Sequence, residues 1–162
     1  MAPTEQKLAP ALASVKTRPL FTMRLAVSEI QKIGGDPIAR QVGVIPGGTF
    51  TGERLSGRVR DGGSDWQTVR PGGSVLLDCR LVLETTDGAL IEMTYAGIRA
   101  GAPEVLARLA KGEPVDPADY YFRINPLFHT ANPRYAWLND LLAIGIGHRL
   151  PEGPLYSVFE VL

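Results

Sequence analysis

The stretch SVLLDCRLVLETTDGALIEMTYAGIR, residues 74–99, decides the fold. Its first half alternates apolar and polar residues, which is the period of a β-strand and not of a helix. Asp87-Gly88 follows, and this dipeptide between two strand-like runs is typical of a tight hairpin turn. The stretch therefore predicts two antiparallel strands. The apolar face of the first carries Val75, Leu77, Cys79, Leu81 and Leu83, and the other face carries Ser74, Asp78, Arg80 and Glu84.

Glycine and proline clusters divide the rest of the chain into runs of similar length. The sequence contains 18 glycines and 13 prolines, and such residues gather where a chain reverses, because glycine tolerates positive φ and proline presets the turn. One short helix is predicted from Pro103 to Gly112, because proline suits a first helical position and glycine a helix end. Strands are predicted, besides the hairpin, over residues 21–27, 120–128, 141–149 and 155–162.

Many short strands with little helix must close into a barrel or stack as a sandwich, because a single open sheet leaves edges and one apolar face exposed. The predicted strand 141–149 favours a barrel, since it places Ala143, Gly145 and Gly147 on one face. Small residues suit a concave wall or leave space for a ligand, and glycine bulges in a sandwich are the alternative. We predict an all-β protein, a single antiparallel up-and-down β-barrel of about 8–10 strands. It spans residues 18–162, behind a flexible N-terminal arm over residues 1–17.

Composition narrows the classes of partner. The 162 residues fit one domain, and 17 basic residues balance 17 acidic ones, so the electrostatic argument for nucleic acid or a membrane surface is missing. The single cysteine, Cys79, excludes an internal disulfide and a cysteine-based zinc site. We expect no metal, no cofactor, no nucleic acid and no membrane partner. We expect a cytoplasmic protein, and a homodimer because sheet edges and apolar outer faces need cover.

The first candidate catalytic residue is Asp65, which Trp66 follows just after the Gly62-Gly63 turn. A carboxyl group beside a large aromatic ring is partly desolvated, which raises its pKa and suits proton transfer. Trp66 would then contact the substrate. The alternative is structural: Asp65 accepts hydrogen bonds from backbone N–H groups of the turn, while Trp66 plugs one end of the barrel.

Two further catalytic candidates, Tyr121 and Arg123, share one face of the strand 120–128. The planar guanidinium group of Arg123, helped by Tyr121, could hold a substrate carboxylate or enolate. Equally, Arg123 could form a structural ion pair with Asp78 or Glu92.

Four residues are predicted to contact the substrate. Asp78 and Arg80 lie on the polar face of their strand, which points into the lumen if the apolar face packs outward, and into solvent if the apolar face forms the core. Trp137 and Asn139 would supply an aromatic wall and an amide for a flat, partly polar ligand. Core packing at the strand entry explains this second pair nearly as well. Cys79, on the apolar face, is interpreted as a small buried hydrophobe and not as a nucleophile.

Four motifs, met in order along the chain, resemble one bacterial family, the one catalogued as domain of unknown function 3237. The similarity runs from about Pro19 to Leu162. The resemblance implies a small closed or nearly closed β-barrel, and it implies little about function. The motifs are PGGTFTG (46–52) with LSG (55–57), GGSDWQ (62–67), TDGALI (86–91), and YYFR (120–123) with YAWLN (135–139).

Three functions fit these residues. The favoured one is a cofactor-independent acid–base enzyme, an isomerase, cyclase or lyase, acting in the lumen on a small, mostly apolar or aromatic carbonyl-type substrate. Asp65 would move a proton, and Arg123 with Tyr121 would stabilise the oxyanion. The alternatives are a barrel that carries such a ligand unchanged, and a scaffold for protein interactions. The first two require a cavity of roughly 300 Å³ or more.

Overall fold

A closed antiparallel β-barrel forms the body of the protein in a computed structural model that describes residues 8–162. The single α-helix of this part of the chain, α1, spans Pro103–Ala110. Short 3-10 segments span Pro10–Leu12, Pro117–Asp119 and Ala136–Asp140. The strands are β1 Thr17–Ala26, β2 Glu29–Gly34, β3 Ala39–Ile45, β4 Gly47–Thr51, β5 Ser56–Val59, β6 Gly63–Val69, β7 Val75–Thr85, β8 Leu90–Ala100, β9 Tyr121–His129, β10 Ala143–Leu150 and β11 Gly153–Val161.

Eight strands close the barrel in the order β7-β5-β4-β1-β11-β10-β9-β8, and β8 pairs again with β7. The other three strands are β2, β3 and β6. Each is joined by a short connection to a barrel strand that runs in the same direction: β2 follows β1, β3 precedes β4, and β6 follows β5. They form a three-stranded extension that pairs with β7 from Val75 to Arg80. From β7 to β11 each strand pairs with the next along the chain, and β1 joins β11 to β4 and so closes the barrel. The predicted up-and-down barrel is confirmed, and the sandwich alternative is wrong.

The alternation in β7 sets which face points inward. Every second residue from Val75 to Leu83 is at most 4% exposed, so the apolar face of the deciding stretch is the core face. β8 follows through the predicted hairpin, with Glu84 opposite Leu90 and with Gly88 at a φ of +84°. That φ lies in the left-handed region that glycine tolerates.

The two ends of the barrel differ. At one end the interior is filled by aromatic rings, with Phe21 5.5 Å from Phe50 and 6.0 Å from Phe128 between ring centroids. At the other end α1 buries Leu106 and Leu109. Proline stands at the start of this helix, and Gly112, with a φ of +75°, follows its end, as predicted.

The small residues of β10 face inward, as a concave wall requires. The space beside them is occupied by neighbouring side chains and not by a ligand volume: a Cβ on Gly145 would lie 2.6 Å from Ile124, and one on Gly147 would lie 2.6 Å from the ring of Phe122. Of the two alternatives for these glycines, a concave wall or space for a ligand, the second is therefore wrong.

The chain before β1 was predicted as an arm over residues 1–17. Residues 8–16 precede the first strand and are exposed, and Thr17 already belongs to β1. Residues 1–7 lie outside the described part of the chain, so the flexibility of the arm stays a prediction.

Candidate functional site

A cavity of about 550 Å³ opens at the α1 end of the barrel, between the helix, the extension and the inner wall. It exceeds the roughly 300 Å³ that a drug-sized ligand needs. Its apolar lining includes Leu77 from β7 and Leu106 from α1, while Ile30 and Lys32 of the extension are exposed at its entrance. Its polar lining is Lys32, Gln41, Asp65, Gln67, Tyr95, Arg99, Arg149 and Tyr156.

Asp65 is the buried carboxyl group of this cavity, 8% exposed on the inner face of β6. One carboxylate oxygen accepts a hydrogen bond from Gln67 Nε2 at 2.7 Å, and the other accepts one from the backbone N–H of Asp78 at 3.2 Å. Burial raises the pKa of Asp65, and the two hydrogen bonds and the positive charge of Arg99 oppose this rise without cancelling it. The group therefore holds its proton to a higher pH than an ordinary aspartate.

Two glutamines fix the orientation of Asp65. Gln41 Nε2 donates to Gln67 Oε1 at 2.7 Å, and the amide nitrogen of Gln67 donates to Asp65. The three side chains come from β3 and β6, neighbouring strands of the extension. The chain of hydrogen bonds holds the carboxyl group in one position at the cavity wall.

A pair of phenols lines the cavity beside this carboxyl group. Tyr95 and Tyr156 are buried, and their hydroxyl oxygens are 3.4 Å apart. Burial raises the pKa of both phenols, so they stay protonated at neutral pH. Only one of the two protons lies between the oxygens. The other can donate to an oxygen atom of a ligand or to the thiol of Cys79, which lies beside Tyr95.

Two arginines complete the polar lining. Arg99, on β8, lies with its guanidinium carbon 5.6 Å from the centroid of the Phe122 ring. Arg149, near the end of β10, donates to the backbone carbonyl of Leu150, and its own backbone N–H donates to Tyr120 Oη at 2.8 Å. Both side chains are half-buried at the cavity.

Trp66 does not lie beside Asp65 in space. Consecutive residues of a strand point to opposite faces, so Trp66 is 49% exposed on the outside while Asp65 faces inward. The prediction that the Trp66 ring desolvates Asp65 is therefore wrong, because the barrel interior desolvates this carboxyl group instead. The predicted contact of Trp66 with a substrate in the lumen is wrong for the same reason. The structural alternative also fails, because the backbone N–H that Asp65 accepts comes from β7 and not from the turn.

Arg123 and Tyr121 lie on the outer face of β9 and do not meet Asp65. The guanidinium carbon of Arg123 is 4.9 Å from the centroid of the Tyr121 ring, and its Nη1 donates to the carbonyl of Phe122. The inner face of this strand holds Phe122, Ile124 and Phe128 instead. The expected convergence of these two residues with Asp65 in the lumen is wrong. No ion pair of Arg123 occurs among the described residues either.

The four predicted substrate contacts also lie outside the cavity. Asp78 and Arg80 are exposed on the outer face of β7 because the apolar face forms the core. Trp137 is covered by the guanidinium group of Arg54, whose carbon is 4.1 Å from the ring centroid. The Asn139 amide accepts from the backbone N–H of Thr130 at 2.9 Å and donates to its carbonyl at 3.0 Å. Both residues serve the packing of the chain, which was the structural alternative.

Some of the polar residues that line the cavity could have been found from the alternation alone. Tyr95 and Arg99 have the parity of Ile91 and Met93, which face inward on the same strand. A search for polar residues on the apolar face of the predicted hairpin would have selected both. Gln67 lies on β6, which is not among the predicted strands, so the same search would have missed it.

The class of the protein is therefore a small β-barrel. Its interior is filled at one end and opens at the other into a cavity with several polar side chains in its wall. Its helices, among residues 8–162, are too short and polar to cross a membrane, and the same residues contain no group of three or more side chains suited to hold a metal ion. The family described as "Protein of unknown function (DUF3237)" matches residues 15–161. The chain belongs to this family, as the motifs predicted.

Similar proteins share the fold over nearly their whole length. A UPF0311 protein from Rhodopseudomonas palustris is 35% identical over 151 residues, which cover 92% of this chain and 98% of that protein. Its crystal structure has a TM-score of 0.88 and covers 96% of this chain and 100% of that chain. A β-barrel-like protein from Acinetobacter baumannii is 37% identical with a TM-score of 0.82, covering 97% and 100%. The structure of an enzyme from Penicillium herquei, 20% identical, has a TM-score of 0.72, covers 96% and 100%, and shares the fold alone.

Proposed function

We propose that the protein binds a small, mostly apolar or aromatic carbonyl compound in the cavity and moves a proton on it without a cofactor, as an isomerase, cyclase or lyase. The observation that carries the proposal is Asp65, a buried carboxyl group at the wall of an otherwise largely apolar cavity. Proton transfer is most efficient when the pKa of the acid or base approaches the working pH. Burial moves the pKa of Asp65 in that direction.

The neighbouring groups suit the two ends of such a transfer. The carboxylate of Asp65 takes a proton from the carbon beside the carbonyl group, and the electron pair of the broken C–H bond moves onto the carbonyl oxygen. The free proton of the Tyr95–Tyr156 pair donates a hydrogen bond to that oxygen, which stabilises the developing enolate in a site of low dielectric. Asp65 then returns the proton to the same or another carbon, so the reaction needs no external reductant or oxidant.

The resemblance in fold to the Penicillium enzyme adds only that this architecture is compatible with catalysis. It transfers no substrate and no catalytic residue to this chain. The location of the protein in the cytoplasm stays a prediction of the sequence.

The test is exchange of carbon-bound hydrogen. The parent protein is incubated in D₂O with a panel of aryl ketones and β-diketones, and loss of the α-proton signal is followed by NMR. We expect the parent to accelerate exchange for members of the panel and Asp65→Asn to lose the acceleration. Asp78→Asn is the matched control, because its side chain makes the same chemical change on the outer face.

Two results would overturn parts of the proposal. A folded Asp65→Asn protein that exchanges at the parental rate removes Asp65 from the mechanism. A parent that binds members of the panel yet exchanges none of them is the carrier barrel of the sequence analysis.

A further inference from the structure

Arg99 and Arg149 bring two positive charges to one side of the cavity. The two residues stand on β8 and β10, on either side of β9 and its inward Phe122. Arg99 is paired in register with Phe122, and Arg149 lies two residues beyond Gly147, where an added Cβ would meet the same ring. Both guanidinium groups line the cavity that contains Asp65.

Neither guanidinium group has a carboxylate partner in the described part of the chain. Six arginines of residues 8–162 pair with a carboxylate within 4.0 Å, and Arg99 and Arg149 are not among them. The contrast matters because the paired arginines are mostly exposed, whereas these two are half-buried. Partly buried charges are normally compensated by a partner of opposite sign.

Asp65 offsets at most one of these two positive charges. Its two oxygens accept hydrogen bonds from Gln67 and the backbone of β7, and neither oxygen lies within 4.0 Å of a nitrogen of Arg99 or Arg149. The phenols of Tyr95 and Tyr156 are neutral. Burial and the neighbouring charge of Arg149 lower the pKa of Arg99, and the opposing effect of Asp65 and the nearby tyrosines does not cancel this decrease. The cavity therefore carries an excess of positive charge.

We propose that the ligand of this cavity carries a carboxylate group, which Arg99 and Arg149 bind together while the apolar body of the ligand lies against Leu77, Leu106 and Phe122. The planar, forked guanidinium group matches the two oxygens of a carboxylate. The inference rests on the proposed function in that it uses the same cavity, and it names the substrate class as a small apolar or aromatic carboxylic acid.

The test measures binding and not turnover. Affinities of 2-naphthoate and of its neutral counterpart 2-naphthamide are determined by isothermal titration calorimetry at neutral pH. We expect the parent to bind 2-naphthoate at least about tenfold more tightly than the amide, since hydrogen bonds to charged groups are the stronger ones. Arg99→Met and Arg149→Met each weaken the binding of 2-naphthoate by about tenfold or more and leave that of the amide unchanged. Arg123→Met, on the outer face, is the matched control and keeps the parental affinity.

Each contrary result is informative. Equal affinity for acid and amide, no binding of 2-naphthoate, or parental affinity in both cavity variants overturns the proposal. Tighter binding of 2-naphthyl phosphate than of 2-naphthoate replaces the carboxylate by a phosphate ester. Asp65→Asn separates this proposal from the catalytic one, because we expect it to bind 2-naphthoate at least as tightly as the parent while it loses proton exchange.

Discussion

Asp65 lies in surroundings that favour its neutral form, and this has a consequence for stability. The folded chain holds the proton of Asp65 more tightly than the unfolded chain, whose carboxyl group titrates near 3.8. As the pH rises from 3.8 through the folded-state pKa, the unfolded chain loses this proton first. Stability is lost across that window, and the burial of the charged form is a constant cost above it.

We therefore predict that Asp65→Asn gains stability relative to the parent as the pH rises from acid to neutral. The asparagine has no proton to lose and avoids the cost of burying a charge. Urea denaturation followed by fluorescence across this range checks the prediction, with Asp78→Asn on the outer face as the matched control. A flat difference for Asp65→Asn would contradict the raised pKa.

Gly147 illustrates how tightly the inner wall is packed. A Cβ at this position would lie 2.6 Å from the Phe122 ring. We predict that Gly147→Ala lowers the free energy of unfolding by about 1–3 kcal/mol, which is typical of overpacking. The penalty should shrink in a Phe122→Leu background, because the smaller side chain releases the space. A double-mutant cycle in urea measures this coupling, and strictly additive effects would show that the ring is not what excludes the methyl group.

At the scale of elements, helix α1 packs against the open end of the barrel through two leucines, Leu106 and Leu109. Leu106 is 5% exposed, and it contacts the wall of the cavity near Gly73, 3.4 Å from the position of a Cβ there. We predict that Leu106→Ala costs about 2–4 kcal/mol, because it removes buried methyl groups and leaves part of their volume empty. Thermal and urea unfolding measure the loss. Lys111→Ala, at the exposed C-cap of this helix, should stay within about 0.5 kcal/mol of the parent, and equal effects would mean that the helix is not docked.

The alternation of β7 and the turn at Asp87-Gly88 made the β7–β8 hairpin and its inward face predictable. These signals are local: neighbouring residues alone decide the face and the reversal. The same alternation separates Phe122, Ile124 and Phe128 from Tyr121 and Arg123 in β9, and the prediction was wrong because it pointed the polar face into the lumen. The cavity was harder still, because Arg99 and Arg149 become neighbours only when the barrel closes. The register of distant strands decides this, and no single segment of sequence encodes it.

At the scale of the whole molecule, a buried glutamate forms two ion pairs at the end of the barrel opposite the cavity. Glu160 is 4% exposed and pairs with Arg18 and Arg54. Burial raises the pKa of this carboxyl group, but the hydrogen bonds and charges of the two arginines outweigh it and the pKa is lowered. Such a group stabilises the fold above its unfolded-state pKa, and the stabilisation is lost as the pH falls through the folded-state pKa.

We predict that Glu160→Gln lowers the free energy of unfolding at neutral pH by about 1–2 kcal/mol, since the two arginines are partly hydrated and keep part of their interactions with water. The deficit relative to the parent should shrink in acid, the opposite trend to that of Asp65→Asn. Denaturation curves at neutral and acid pH decide this. A deficit that does not depend on pH would indicate that packing, and not charge, holds this end.

The outer face of the barrel bears on the predicted homodimer. Leu76, Ile98 and Ile146 form one cross-strand row with Arg123, and both isoleucines are more than 40% exposed. We expect a second copy to cover this row, so Ile98→Glu should produce monomers in sedimentation velocity while Ile33→Glu, on the extension, should not. A parent that sediments as a monomer at high concentration contradicts the prediction.

Aromatic rings fill one end of the barrel, so the cavity is accessible only from the other end. A ligand enters and leaves the cavity by the same opening, so a bound molecule has to depart before the next one can bind. A ligand longer than the cavity leaves its remaining part exposed to solvent. The innermost side chains then contact only the part of the ligand that enters first. We therefore expect compounds that differ only in the solvent-exposed part to bind with similar affinity.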